Sequence, residues 1–124
     1  MPALHEPMNL GDLLKFEGPN LYSREAATVA LGQNLALGTV LGFAADGKAH
    51  ALDLTAIDGT EVAAAVLLTD CDATVAERSD AVVVRRHAIV GRVALVWPAG
   101  ITNGQKAIAQ SQLESRGILV RDSA

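Results

Sequence analysis

The sequence predicts a mainly β protein, a small barrel or bent β-ribbon, with one short α-helix near the C-terminus. Short apolar runs separated by glycine turns recur from Leu35 onward. Hydrophobic residues make up 50% of the chain but aromatic residues only 3%, so the core is expected to consist of Ala, Val, Leu and Ile. One late segment combines helical spacing with a helix-capping pattern. At 124 residues, the chain is expected to form one domain.

Residues 1–20 are predicted to form an N-terminal arm, and residues 21–124 the β domain. Pro2 and Pro7 lack the N–H that a sheet needs and disfavour a helix, and Gly18-Pro19-Asn20 is a turn signal. Four large apolar residues lie within seven positions of this arm: Leu10, Leu13, Leu14 and Phe16. Disordered segments are usually depleted in such side chains. We therefore expect them either to fold back on their own domain or to dock on a partner.

The middle of the chain is predicted to be a series of strands. Residues 21–31 fit a helix or a strand equally well. Asp46-Gly47 lies between two apolar runs and predicts a hairpin of residues 39–43 and 48–52. Residues 61–68 are almost continuously apolar, as in a strand buried on both faces. Two further strands are expected over residues 81–86 and 88–93.

The C-terminal part is predicted to run strand, turn, helix, strand. An apolar strand over residues 94–97 ends at Pro98, and Thr102 followed by Gln105 fits a capping box that starts a helix near Asn103. Gly117 suits a left-handed C-terminal cap before a final strand over residues 118–120. One apolar helix face is expected, formed by Ile101, Ile108, Ala109, Gln112 and Leu113.

Charge and composition exclude several classes of function. A net charge of −4 without a basic stripe argues against direct nucleic-acid binding. No apolar run approaches the roughly 18 residues of a membrane span, and no signal peptide is evident. The single Cys71 excludes an intramolecular disulfide and fits a reducing compartment. We expect a soluble protein made in the cytoplasm, with no membrane partner.

No set of residues matches an active site, so the sequence predicts no enzyme, no cofactor and no metal. Cys71 lies between Asp70 and Asp72, which would oppose formation of a reactive thiolate. The three histidines, at positions 5, 50 and 87, fit no zinc-ligand spacing. The aspartates lie at turns, where a carboxylate accepts hydrogen bonds from the backbone.

Several segments, in their order along the chain, carry a family resemblance. They are residues 37–42, Gly47-Lys48 with Leu52-Asp53, residues 58–60 leading into 63–68, residues 94–101, the helix over 105–116 and residues 117–120. Together they resemble the head decoration proteins of tailed bacteriophages, the family typified by the capsid-stabilising protein of phage lambda. The lead over residues 10–31 departs from that pattern because it is longer and more apolar.

The resemblance implies a β-clip, a bent double-stranded ribbon forming an incomplete barrel. It also implies a homotrimer on the outer surface of the expanded head, at three-fold positions. There the protein would bind the major capsid protein of a tailed phage and stabilise the head against the pressure of packaged DNA. The N-terminal arm would add to that contact.

Candidate contact residues follow from this interpretation. The predicted capsid-binding residues are Leu10, Leu13, Leu14, Phe16, Leu21 and Tyr22. Trp97 and Pro98 are expected to shape the turn before the helix, with a secondary role at the trimer interface; simple core packing is the alternative for Trp97. Two other functions stay open, a small β-barrel binding module for a ligand or sugar and a hydrolase built on scattered carboxylates.

Overall fold

The computed structural model describes residues 10–17 and 23–122 and confirms a mainly β fold with one α-helix, of 12 residues, near the C-terminus. The helices are α1 (Leu10–Leu13) and α2 (Asn103–Glu114). The strands are β1 (Leu14–Glu17), β2 (Arg24–Val29), β3 (Asn34–Leu35), β4 (Val40–Phe43), β5 (Ala49–Ala51), β6 (Ala65–Leu67), β7 (Cys71–Asp72), β8 (Arg78–Val84), β9 (Ala88–Gly91) and β10 (Ile118–Arg121).

Five strands form a barrel in the order β2-β5-β4-β6-β8. The expected barrel is closed rather than incomplete, since β2 pairs with β8 on one side and with β5, through Val29 and Ala49, on the other. The predicted hairpin is confirmed: β4 and β5 are antiparallel across the turn, where the Asp46 carboxylate accepts a hydrogen bond from the Lys48 N–H at 3.0 Å. The ambiguous segment 21–31 contains strand β2.

The remaining strands form two smaller sheets. An open sheet has the order β1-β9-β10, with β1 antiparallel and β10 parallel to the central β9. A short antiparallel pair joins β3 to β7. Pairing of β1 was not expected, because the prolines of the predicted arm argued against sheet hydrogen bonds. The expectation is wrong for Leu14–Glu17, which contains no proline.

Two hydrophobic cores share the same barrel strands. Along β6 and β8, Leu67 and Val83 lie in a cluster with Leu41, while Val66 and Val84 lie in a larger cluster that includes α2 and the open sheet. Neighbouring residues of a strand point to opposite faces. The barrel wall is therefore buried on both faces, as predicted for this part of the chain, although β6 is shorter than the expected strand over residues 61–68.

Helix α2 begins and ends as predicted. The Thr102 hydroxyl accepts a hydrogen bond from the Gln105 N–H at 3.1 Å, and the Gln105 side chain accepts one from the Thr102 N–H at 2.9 Å. Gly117 has a φ of 81° after the helix, and β10 follows. Ala109 and Leu113 are buried as expected. Ile108 was expected on the same face but is not buried, since 62% of its surface is exposed.

The predicted strand over residues 94–97 is wrong in large part. A 3₁₀ turn occupies Arg92–Ala94, and the Leu95 N–H donates to the Arg92 carbonyl at 3.3 Å. Only Val96 joins a neighbouring strand, through an isolated parallel bridge to Thr39. Pro98 then ends the extended segment because it has no N–H to donate.

Candidate functional site

The apolar residues of the predicted arm lie partly in the core and partly on the surface. Leu13 is fully buried, and Leu10 and Leu14 are half-buried against the larger core cluster. The prediction that Leu13 faces a partner is therefore corrected, because the turn of α1 directs this side chain inward. Among the described arm residues, Phe16 presents the large apolar surface, since it is 56% exposed. Leu21 and Tyr22 lie outside the described residues.

An ion pair and the sheet hold Leu10–Glu17 in place. Leu14 pairs with Val90, and Phe16 pairs with Ile89, with an irregularity in the register between Leu14 and Phe16. Both Glu17 carboxylate oxygens accept hydrogen bonds from the Arg24 guanidinium, at 2.7 and 2.8 Å. Those bonds raise the pKa of Arg24. The segment is thus held in place by the buried Leu13 and, at its C-terminal end, by the bidentate ion pair of Glu17 with Arg24.

Phe16 belongs to an apolar row across the outer face of the open sheet. Ile89 is in register with Phe16 on one side and with Leu119 on the other, so three strands each contribute one residue. A shallow hollow of about 350 Å³ lies here, lined also by His87, Ala88 and Gly117. We name Phe16, Ile89 and Leu119 the outer apolar row.

Sequence reasoning missed two members of the outer apolar row. Ile89 and Leu119 are half-buried, whereas their neighbours in the same strands, Ala88, Val90 and Ile118, point into the core. Apolar residues on both faces give no alternating pattern, so the sequence did not show that one face is open. The register that aligns the three strands comes from tertiary pairing.

The open sheet also has two edge strands. Within the part of the chain that the structure describes, β1 and β10 each pair with β9 and with no other strand. Backbone groups on an unpaired edge can form hydrogen bonds with a strand from another chain. The outer apolar row and these edges together offer a protein-binding surface.

The residues considered for catalysis have structural roles. Burial raises the pKa of the Cys71 thiol, and the nearby carboxylates of Asp80 and Asp72 act in the same direction. Three aspartates each accept hydrogen bonds from the N–H and hydroxyl of the threonine two residues later: Asp53, Asp58 and Asp72. Within residues 10–17 and 23–122, no group of three or more His, Cys, Asp or Glu side chains could hold a metal ion. Neither described helix has the length and apolar content to cross a membrane.

Trp97 and Pro98 lie between surface grooves. Trp97 is half-buried and packs against the larger core cluster, which supports the core-packing alternative for this residue. It also lines a groove of about 510 Å³ beside α2 and, together with Pro98, a smaller one of about 250 Å³ against the barrel. Its part in a trimer interface stays a prediction.

Comparison with known families identifies the chain. The family model described as "Bacteriophage lambda head decoration protein D" matches residues 3–118. The chain belongs to this head decoration protein family. No curated protein matches the chain in a direct comparison.

Membership assigns the protein to the capsid of a phage virion. The head decoration family is a family of structural proteins and not of enzymes. The match includes α1, β1 and β9, so Phe16 and Ile89 of the outer apolar row lie within the matched region, and Leu119 is the first residue after it.

Proposed function

We propose that this head decoration protein binds the outside of the expanded phage head as a homotrimer at three-fold positions, and that it stabilises the head against the pressure of packaged DNA. Its partner is the major capsid protein of a tailed phage. The observation that carries the proposal is the family match over residues 3–118, which the exposed outer apolar row complements with a protein-binding surface.

The outer apolar row and the edge of β1 form the capsid contact. Phe16 supplies the largest exposed side chain, and burying it on a partner removes apolar area from water. Leu10 and Leu14 border the contact, and Leu13 supports it from the core. Leu21 and Tyr22 are proposed as further capsid-binding residues. The main-chain groups of β1 add hydrogen bonds to an extended capsid segment.

Stabilisation follows from selective binding. A ligand that binds the expanded lattice alone shifts the equilibrium toward that lattice by mass action. Three linked copies bind with greater avidity than one, so each individual contact can be weak. Trp97 and Pro98 contribute to the contacts between copies. No direct contact with nucleic acid is proposed, consistent with the net charge of −4.

The small binding module for a ligand or sugar is the less favoured alternative. The barrel interior is filled by its own side chains, including the fully buried Leu41, Leu67 and Val83. A ligand would have to bind on the outside, where the hollow beside Phe16 and the groove beside α2 each contain a single Phe or Trp side chain.

The direct test is co-sedimentation with expanded heads that lack a decoration protein. Phe16→Asp is expected to abolish binding, because it places a charge in the outer apolar row. Ile57→Asp is the matched control, since Ile57 is 97% exposed in a loop outside this surface and should bind like the parent. Light scattering should give about three times the 12.9 kDa mass of one chain.

Circular dichroism of each variant shows whether it is folded. Unchanged binding by a folded Phe16→Asp variant would refute the proposed contact surface. Failure of the parent protein to bind heads would refute the function itself.

A further inference from the structure

The groove beside Trp97 lies between an extended segment and one face of α2. Leu95 and Trp97 line one wall with the preceding 3₁₀ turn, and the other wall is formed by helix residues at spacings of three and four: Asn103, Lys106, Ala107 and Gln110. This helix face is distinct from the buried one that contains Ala109 and Leu113. The groove shares no residue with the outer apolar row.

The extended segment has an unused hydrogen-bonding edge. The Val96 N–H donates to the Gly38 carbonyl at 2.9 Å, and the Val96 carbonyl accepts from the Val40 N–H at 3.2 Å. Neighbouring residues of a strand direct their backbone groups to opposite edges, so those of Leu95 and Trp97 face away from β4. Leu95 uses its N–H in the 3₁₀ turn, while the Trp97 N–H and carbonyl bond to no described residue.

The groove carries positive charge. Arg92 and Lys106 line it, and none of its lining residues is acidic. Arg92 faces Asp122 at 3.5 Å, with side chains 47% and 80% exposed. An ion pair this exposed contributes little to stability, so the carboxylate of a bound peptide can compete with Asp122 for Arg92. Among the described residues, Lys106 forms no ion pair.

We propose that this groove binds an extended acidic segment of a second protein, which adds as a short strand beside Leu95–Trp97 and places carboxylates near Arg92 and Lys106. Strand addition in a groove between a strand edge and a helix combines main-chain hydrogen bonds with side-chain pockets. Val93, which is 69% exposed, and Trp97 provide the apolar surface for a residue between the carboxylates. The inference goes beyond head binding through the outer apolar row and does not depend on it.

The test uses the fluorescence of Trp97, the single tryptophan of the chain, as a reporter inside the groove. The probe is a capped peptide of alternating glutamate and valine, five residues long, titrated into the full-length protein to millimolar concentration. Its lysine-valine counterpart is the charge control. We expect a saturable change in Trp97 emission with the acidic peptide and none with the basic one.

Two variants separate the charge contribution from general effects. Lys106→Glu should weaken binding roughly tenfold, since it replaces an attraction by a repulsion. Lys48→Glu makes the same charge change at a distant hairpin turn and should bind like the parent. A peptide N-methylated at its central residue should also bind several-fold more weakly, because it lacks a main-chain donor.

Two results would overturn the inference. They are no emission change with the acidic peptide, and equal responses to the acidic and basic peptides. A protein that fails to bind heads but still binds the acidic peptide would refute the proposed function and leave this inference intact.

Discussion

At the residue scale, two side chains three positions apart have opposite roles. Leu13 is fully buried, and Phe16 is 56% exposed on the outer apolar row. The sequence showed that this segment was too apolar for a solvated arm, and it left two alternatives open, folding back on the domain and docking on a partner. The structure shows that Leu13 folds back into the core, and docking on a partner is proposed for Phe16. The sequence could not show which residue is buried, because both belong to one short apolar run and the tertiary structure decides which side chain points inward.

Substitution of Leu13 tests this division. Leu13→Ala should lower the free energy of unfolding by roughly 2–5 kcal/mol, because it leaves a cavity in the larger core. Phe16→Ala should cost about 1 kcal/mol or less, as expected for a largely exposed side chain. Urea denaturation followed by circular dichroism measures both. Equal losses for the two variants would contradict the assignment.

Aspartates at turns were predicted correctly from sequence, since turn chemistry is local. The hydrogen bonds that these aspartates accept also predict that the fold loses stability in acid. Hydrogen bonds from Thr60 and Thr74 lower the pKa of Asp58 and Asp72, and Arg78 lowers the pKa of Asp80. A carboxylate with a depressed folded-state pKa stabilises the fold above its unfolded pKa, and this contribution is lost as the pH falls through the folded value.

We therefore expect the free energy of unfolding to decline below about pH 4. Thr74→Val removes the hydroxyl donor to Asp72 and should reduce this decline. Ser111→Ala, which changes an exposed residue of α2 outside these turns, should leave it unchanged. Urea denaturation at a series of pH values gives the comparison. An identical pH profile for Thr74→Val and the parent would show that the turn bond does not carry the effect.

At the scale of elements, α2 was the most predictable part of the chain. Its capping box and its terminal Gly117 depend on a few residues that are adjacent in sequence. The exposure of Ile108 was not predictable, because the angle at which a helix packs on a sheet decides which of two neighbouring residues faces inward. The strand expected at residues 94–97 was also not predictable in detail. A 3₁₀ turn forms at Arg92–Ala94, where the chain leaves β9, and it replaces the start of that strand.

The capping box gives a prediction for this element. Thr102→Ala should cost about 1 kcal/mol, because it leaves the Gln105 N–H without its acceptor. The thermal midpoint should fall by about 3–6 °C. Ser111→Ala, at an exposed position within the same helix, is the control and should have a small effect. A midpoint for Thr102→Ala equal to that of the control would contradict the role of the cap.

At the scale of the whole molecule, β6 and β8 separate two cores that the sequence did not distinguish. Composition predicted small aliphatic side chains throughout, and the structure divides them between the barrel interior and the space beneath α2. Whether Val66 or Leu67 points inward depends on the closure of the barrel by strands distant in sequence.

The shared strands predict that both cores unfold together. Leu67→Ala lies in the barrel core and should lower stability by roughly 2–5 kcal/mol. Trp97 fluorescence reports on the other core, yet it should show the same midpoint as circular dichroism. Phe16→Ala, which lies in neither core cluster, serves as the reference. Separate midpoints for the two probes would show that the cores are independent.

The shared barrel wall also determines where the chain can be lengthened. An extra residue inserted in β6 or β8 would move every following side chain of that strand to the opposite face of the barrel wall. Both cores would then be disturbed at once. The loop that carries Ile57 is different, because it lies between Asp53 and Asp58, whose turns are closed by their own threonines. A foreign peptide inserted beside Ile57 would be displayed outside these closed turns, and the strands on either side would keep their register.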